Sequence, residues 1–180
     1  MNTEKISITI ATGIYPPELG GPAEYAKNLA EVWRKEGHEV SVQVFSRFNT
    51  FPTGIRHVLY FFSMLQSIWR SDLVFILDTF SAALPAVVAS KLLGKKTILR
   101  TGGDFLWEGY VERTGDLVLL RDFYTKHAYP FSLKEKVIFK IIQFILQNVD
   151  VVVWSTTWQK DIFKNAYSLE GQRHEVIENY

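Results

Sequence analysis

Residues 6–44 read ISITIATGIYPPELGGPAEYAKNLAEVWRKEGHEVSVQV, and this stretch decides the fold. Ile6-Ser7-Ile8-Thr9-Ile10 alternates apolar and polar residues at the two-residue period of a strand. The following segment, Thr12 to Gly21, is dense in Gly and Pro, which interrupt helices and strands alike. Pro22 suits a first helical turn, where its missing N–H costs nothing. Ala26, Leu29, Ala30 and Trp33 recur at helical spacing, and Gly37 supplies a C-terminal cap. Val40, Val42 and Val44 then make a second strand. Two strands joined through a helix close naturally as a parallel βαβ unit.

The same alternation continues outward from this unit. Ile55, Val58, Leu59, Phe62, Leu65 and Trp69 form one broad apolar helix face. Leu73 to Leu77 is a continuous apolar run, as expected of a strand covered on both sides. Ala82 to Leu93 predicts a helix ended by Gly94, and Lys96 to Arg100 the next strand. A long polar, aromatic-rich connection runs from Thr101 to about Ser132. Leu133 to Gln147 is amphipathic, Val149 to Trp154 is a buried strand, and Ser155 or Thr156 caps a helix through Ala166. His174 to Ile177 completes six strands. The expectation is one domain over residues 1–180: an α/β, doubly wound, mainly parallel six-stranded Rossmann-like sheet with helices on both faces. Such sheets bind ligands at the carboxyl ends of their strands, which marks Gly13–Gly21, Ser46–Asn49, Asp78–Ser81, Thr101–Glu108 and Ser155–Thr157.

Composition agrees with a single globular core: 180 residues, 47% hydrophobic and 22% charged. Twenty Lys/Arg against nineteen Asp/Glu leave a formal charge of +1, which speaks against a general nucleic-acid binder. There are no cysteines, so disulfides, thiolate metal sites and cysteine nucleophiles are excluded. The four histidines, His38, His57, His127 and His174, have no metal-ligand spacing, and no metal is expected. Met1 to Lys5 is polar, the apolar stretch behind it is too short for a signal peptide, and the longest apolar runs fall short of a bilayer span. A cytoplasmic protein is the expectation.

Gly20-Gly21 closes the first loop immediately before a helix. Glycines there let a ligand approach the backbone, and amides at a helix start favour an anion such as a diphosphate. The same pair also serves as a plain tight turn. The segment is not Gly-x-Gly-x-x-Gly, so no dinucleotide fingerprint is present.

Pro16-Pro17-Glu18-Leu19-Gly20-Gly21-Pro22, with Leu29-Ala30 and Gly37-His38-Glu39-Val40, resembles the start of family-4 (group 1) glycosyltransferases of the GT-B fold. Ala86 to Thr101, Asp150-Val151-Val152-Val153 with Ser155, and His174 to Asn179 are similar to later parts of that family's N-terminal domain. The resemblance implies an N-terminal, acceptor-side domain, with the donor-binding C-terminal domain and its paired glutamates falling beyond Tyr180. It implies sugar transfer, with retention, from a nucleotide-sugar donor to a glycan or lipid-linked acceptor. It also implies no cofactor, and little activity for the chain alone. Three departures stand out: Glu178 where the family commonly has proline, Tyr180 where it has glycine, and no histidine in Thr101 to Glu108. Two other readings are an acceptor-binding subunit of a two-chain enzyme and a non-transferase nucleotide binder.

Within the resemblance, the Thr101–Glu108 loop faces substrate. Asp104 and Glu108, four residues apart, share one side of a helical turn and are the candidate catalytic acids. Asp104 would bind or deprotonate an acceptor hydroxyl, assisted by Glu108. Trp107 offers a stacking face, and Arg100 a partner for a carboxylate or phosphate. The alternative is a surface ion network with Trp107 in the core. Gly20 and Gly21 are assigned to the donor diphosphate, and Tyr15, Glu18 and Arg47 to the acceptor side or else to solvated loops. Asp78-Thr79 equally suits a helix cap. Lys134, Lys136 and Lys140 lie on the helix whose apolar face includes Leu133, Val137, Ile141, Phe144 and Ile145. With Lys126, Tyr129 and Phe131, this helix either contacts an anionic membrane surface or packs on the sheet with its lysines solvated.

Overall fold

The computed structural model describes residues 4–124 and 131–178. In chain order it contains β1 (Ser7–Thr12), α1 (Gly21–Lys35), β2 (Glu39–Val44), a 3-10 turn (Phe45–Phe48), α2 (Ile55–Ile68), β3 (Leu73–Ile76) and α3 (Ala83–Leu92). Then follow β4 (Lys96–Thr101), α4 (Phe105–Thr114), α5 (Leu120–Phe123), α6 (Leu133–Asn148), β5 (Val151–Trp154), α7 (Thr157–Tyr167) and β6 (Arg173–Val176). The strands form one sheet in the order β2-β1-β3-β4-β5-β6, and every neighbouring pair is parallel. This is an α/β Rossmann-like sheet, and the chain direction across it reverses at β1, between β2 and β3. Loops on either side of such a switch point splay apart and leave a crevice.

Helix α1 covers one face of the sheet, over Ile8, Ile10 and Phe75, with Trp33 edge-on to Phe75 at 5.2 Å. The other face carries the main core, built from Tyr60, Met64 and Ile68 of α2, Ala86 of α3, Ile142 and Ile145 of α6, and Phe163 of α7. Trp154 lies in this core fully buried, and its Nε1 donates to His174 Nδ1 at 3.2 Å. At the other end of β5, Asp150 joins two strands: its carboxylate accepts from the Thr97 amide and hydroxyl, both at 2.9 Å, and pairs with Lys96 at 2.7 Å.

Between α2 and the β1–β2 edge the core changes character. Here Thr9 Oγ1 meets Ser67 Oγ at 2.8 Å and Ser71 Oγ at 2.6 Å, while Ser41 Oγ meets Ser67 Oγ at 3.0 Å. Ser41, Ser67 and Ser71 line a pocket of about 460 Å³ together with Gln43, Ser63, Trp69 and Arg70.

The structure corrects two helix faces. Leu133, Val137 and Phe144 of α6 point outward, and of the expected apolar face only Ile145 is fully buried. The buried side is Ile142, Ile145 and Leu146. Likewise Ile55, Val58, Phe62 and Trp69 along α2 are exposed, and Tyr60, Met64 and Ile68 face the sheet. Phe131 packs into the core beside Phe123 and Phe139. Lys126, His127, Tyr129, Asn179 and Tyr180 lie outside the described residues.

Candidate active site

All five segments marked by the strand-end rule contribute to one cleft of about 800 Å³ at the carboxyl ends of β1, β3, β4 and β5. Gly13 and Gly21 line it from the first loop, Ser46 and Asn49 from the turn after β2, and Asp78, Thr79 and Ser81 from the end of β3. Opposite them stand Arg100 to Gly103, Phe105 and Glu108, with Ser155 beyond. The glycine loop and the acidic loop thus share one rim.

Gly20 is the N-cap of α1 and has φ 150°, a conformation that favours glycine; a Cβ there would meet Ile14 Cδ1 at 3.1 Å. Gly21 has no such restraint, and a Cβ added there meets nothing within 4 Å. Pro22 carries no N–H, and the Ala23 amide donates to Gly20 O at 3.1 Å, so at this entrance the Gly21 amide is the candidate donor to a ligand in the cleft that Gly21 lines. Gly20→Ala is therefore expected to lower stability by about 1–2 kcal/mol. Gly21→Ala should leave the urea midpoint unchanged while weakening diphosphate binding, measured by nucleotide titration. Equal stability losses at both positions would show Gly21 to be merely a turn residue.

Arg100 is buried, 6% exposed, and reaches the cleft from β4. Its guanidinium donates to Ile177 O at 2.9 Å and lies 5.1 Å from the Tyr25 ring centroid, so α1 and the chain after β6 orient it together. Glu108 stands one turn into α4 with its carboxylate against Gly103, where an added Cβ would fall on Glu108 Oε1. Burial of that carboxylate, reinforced by the Asp104 charge, pushes the Glu108 carboxyl above its usual range, opposed by an Asp104 backbone hydrogen bond.

Asp104 does not face the cleft. It is fully buried as the N-cap of α4: Oδ1 accepts from the Leu106 and Trp107 amides at 2.9 and 3.0 Å. Oδ2 accepts from Tyr124 at 2.6 Å and Tyr167 at 3.2 Å. Burial raises the Asp104 carboxyl above its ordinary range despite these four donors. Its geometry is that of a positioning residue that sets the start of the Glu108 helix. Trp107 also turns away: its Nε1 donates to Val118 O at 2.8 Å and its ring packs on the core. Phe105 instead lines the cleft, stacked on Phe80 at 4.6 Å and 20°.

The structure does not bring Tyr15, Glu18 and Arg47 into the cleft lining. Glu18 accepts from Ser46 Oγ and the Tyr15 amide, which ties the first loop to the turn after β2. Arg47 is exposed. Arg56 of α2 takes the position expected of Arg47: it lines the cleft, donates to Asn49 Oδ1 at 3.3 Å and lies over Phe45. Asp78 caps the entrance to α3, accepting from the Phe80, Ala82 and Ala83 amides at 2.8–2.9 Å. Arg56, Phe105 and Phe80 were not singled out by sequence reasoning; Phe80 and Phe105 lie in marked strand-end segments, and Arg56 does not.

No protein-family model matches the chain, and no curated protein matches it. Among solved structures the chain is similar to the glycosyltransferase UGT73P12 of Glycyrrhiza uralensis, solved with glycyrrhetinic acid 3-O-monoglucuronide. That likeness has a TM-score of 0.57 at 8% identity and covers 97% of this chain and 49% of the other. A metagenome-derived lipolytic enzyme, from work on LipS and LipT, is similar at a TM-score of 0.50 and 12% identity, covering 98% and 84%. At these identities the likeness is one of fold. The chain spans about half the length of the glycosyltransferase that it matches, and its sheet corresponds to one half of a GT-B fold.

Proposed function

We propose that this chain forms the acceptor-side half of a glycosyltransferase cleft. The intact enzyme would move a sugar from a nucleotide-sugar donor to a hydroxyl of a glycan or lipid-linked acceptor. The observation that carries the reading is the shared rim: the Gly21 helix entrance, the buried Arg100, the Glu108 carboxylate and the Phe105 ring line one cleft. An amide and a guanidinium stabilise charge developing on a departing diphosphate. A carboxylate orients or deprotonates an acceptor hydroxyl, and Phe105 offers an apolar face to a sugar ring. Among the described residues lining the cleft there is no histidine beside its serines. The resemblance in motif order and spacing set out above supports family 4, and membership of that family would imply retention of configuration.

In this reading the donor is held mainly by a second Rossmann-like domain, supplied by the continuation of the chain or by a partner subunit. Purified chain is expected to transfer no sugar by itself and to bind nucleotide weakly. The test titrates a panel of nucleotide sugars against the chain with and without an added donor-binding domain, following released nucleotide diphosphate. Release only with both halves present supports the proposal. Ordinary turnover or tight nucleotide binding by the chain alone overturns it.

A further inference from the structure

We propose that the outward faces of α2 and α6 together form a docking surface for an anionic lipid bilayer. Both helices pack on the same side of the sheet, with α3 between them. On α2, Ile55, Val58 and Phe62, with Trp69 just past its end, follow one another at helical spacing and are 52%, 55%, 62% and 71% exposed. On α6, Leu133, Val137 and Phe144 are 83%, 56% and 41% exposed. Each stripe lies opposite its helix's core-facing residues, so both point away from the sheet. A stripe this apolar on a solvated helix is a liability unless something covers it.

Charge identifies the cover. The chain as a whole is +1, but besides the cleft-lining Arg56 the helices α2, α3 and α6 carry four Lys against a single Glu. That one acid, Glu135, is paired with Arg113 and held in the capping box of Ser132. Lys136 and Lys140 border the shallow apolar groove formed with Leu133, Val137, Ile141 and Phe144. Their stems can lie along the apolar stripe while the ammonium groups reach outward, the arrangement of an interfacial helix. A second copy of the chain is disfavoured as the occupant, because a twofold contact would set this positive face against itself. No helix among the described residues is long and apolar enough to cross a membrane, so the contact is with the headgroup region.

The docked orientation also has a geometric consequence. Helices α2 and α6 begin at the sheet end where the cleft opens, since Arg56 in the first turn of α2 lines that cleft. A bilayer lying along these helices would therefore adjoin the cleft mouth. The inference stands apart from the transferase reading, because vesicle binding needs neither donor nor acceptor.

The test is co-sedimentation of the chain with phosphatidylcholine vesicles, with and without phosphatidylglycerol. The variants are Lys136→Glu/Lys140→Glu and Val58→Ser/Phe62→Ser, each checked for folding by circular dichroism and urea midpoint. The chain is expected to sediment with the anionic vesicles and not with the neutral ones. The charge variant should bind at least about tenfold more weakly. The serine variant should lose the binding that survives high salt. The proposal falls if folded chain ignores phosphatidylglycerol vesicles or if both variants bind like the parent. It falls equally if ultracentrifugation shows a dimer that the same variants dissociate.

Discussion

Replacing Asp104 with alanine is expected to destabilise the fold by about 3 kcal/mol, read as a lowered urea midpoint with an unchanged slope. The change removes the cap of α4 and the acceptor shared by two buried tyrosine hydroxyls. Tyr124 and Tyr167 keep their mutual contact at 2.6 Å, so the loss stops short of a fully orphaned pair. Relief from burying a carboxylate offsets part of it. Tyr167→Phe, which removes one donor, should cost about 1 kcal/mol. Burial raises the folded-state pKa of Asp104, so the native state holds its proton more tightly than the unfolded chain does. Its contribution is therefore fully present below the unfolded carboxylate range and declines as pH rises through the raised folded value. Asp104→Asn should flatten that part of the stability–pH curve. An Asp104→Ala protein that is fully stable but catalytically dead would instead place this acid in the chemistry.

Glu108→Gln should lower sugar transfer by about two orders of magnitude in the chain combined with its donor-binding half, with little change in stability. Burial and the Asp104 charge raise the Glu108 carboxyl, so it is ionised only above the ordinary carboxylate range. If the ionised form positions or deprotonates the acceptor, the parent rate climbs with pH through that raised value. The glutamine variant then lacks this acid limb. Gly103→Ala provides a second reading of the same carboxylate. The methyl would displace Glu108 Oε1, the end of a flexible side chain, and the backbone at Gly103 is not left-handed. A smaller rate loss without unfolding is expected, whereas equal rates for parent and Glu108→Gln would remove Glu108 from the mechanism.

Most of the framework was legible from local patterns. Ser7–Thr12 and Glu39–Val44 alternate, and Leu73–Ile76 and Val151–Trp154 are apolar throughout, so the strands lie within a residue or two of their expected places. Parallel pairing followed from the length of each connection. The faces of α2 and α6 were not legible, because both helices are apolar on two sides. Periodicity finds a stripe but cannot say which of two stripes meets the sheet. Helix α4 illustrates a different ambiguity. An acid before a helix and an acid one turn later have the same spacing whether the first caps the helix or faces a ligand. Only burial of Asp104 beneath Tyr124 and Tyr167 separates the two. The stacking of Phe80 on Phe105, and the approach of Arg56 to the cleft, are tertiary facts with no local signature.

The seam between α2 and the β1–β2 edge differs from the rest of the interior in one respect. Thr9, Ser41, Ser67 and Ser71 join oxygen to oxygen, and each contact works with either atom as the donor. Ser71 Oγ also donates to Ser67 O at 3.2 Å and Gln43 Nε2 donates to Ser41 Oγ at 3.3 Å, so the protons favour one direction, from Ser41 through Ser67 and Thr9 to Ser71. A guest in the adjoining pocket therefore meets Ser41, Ser67 and Ser71 with their hydrogens already committed, a floor that offers lone pairs.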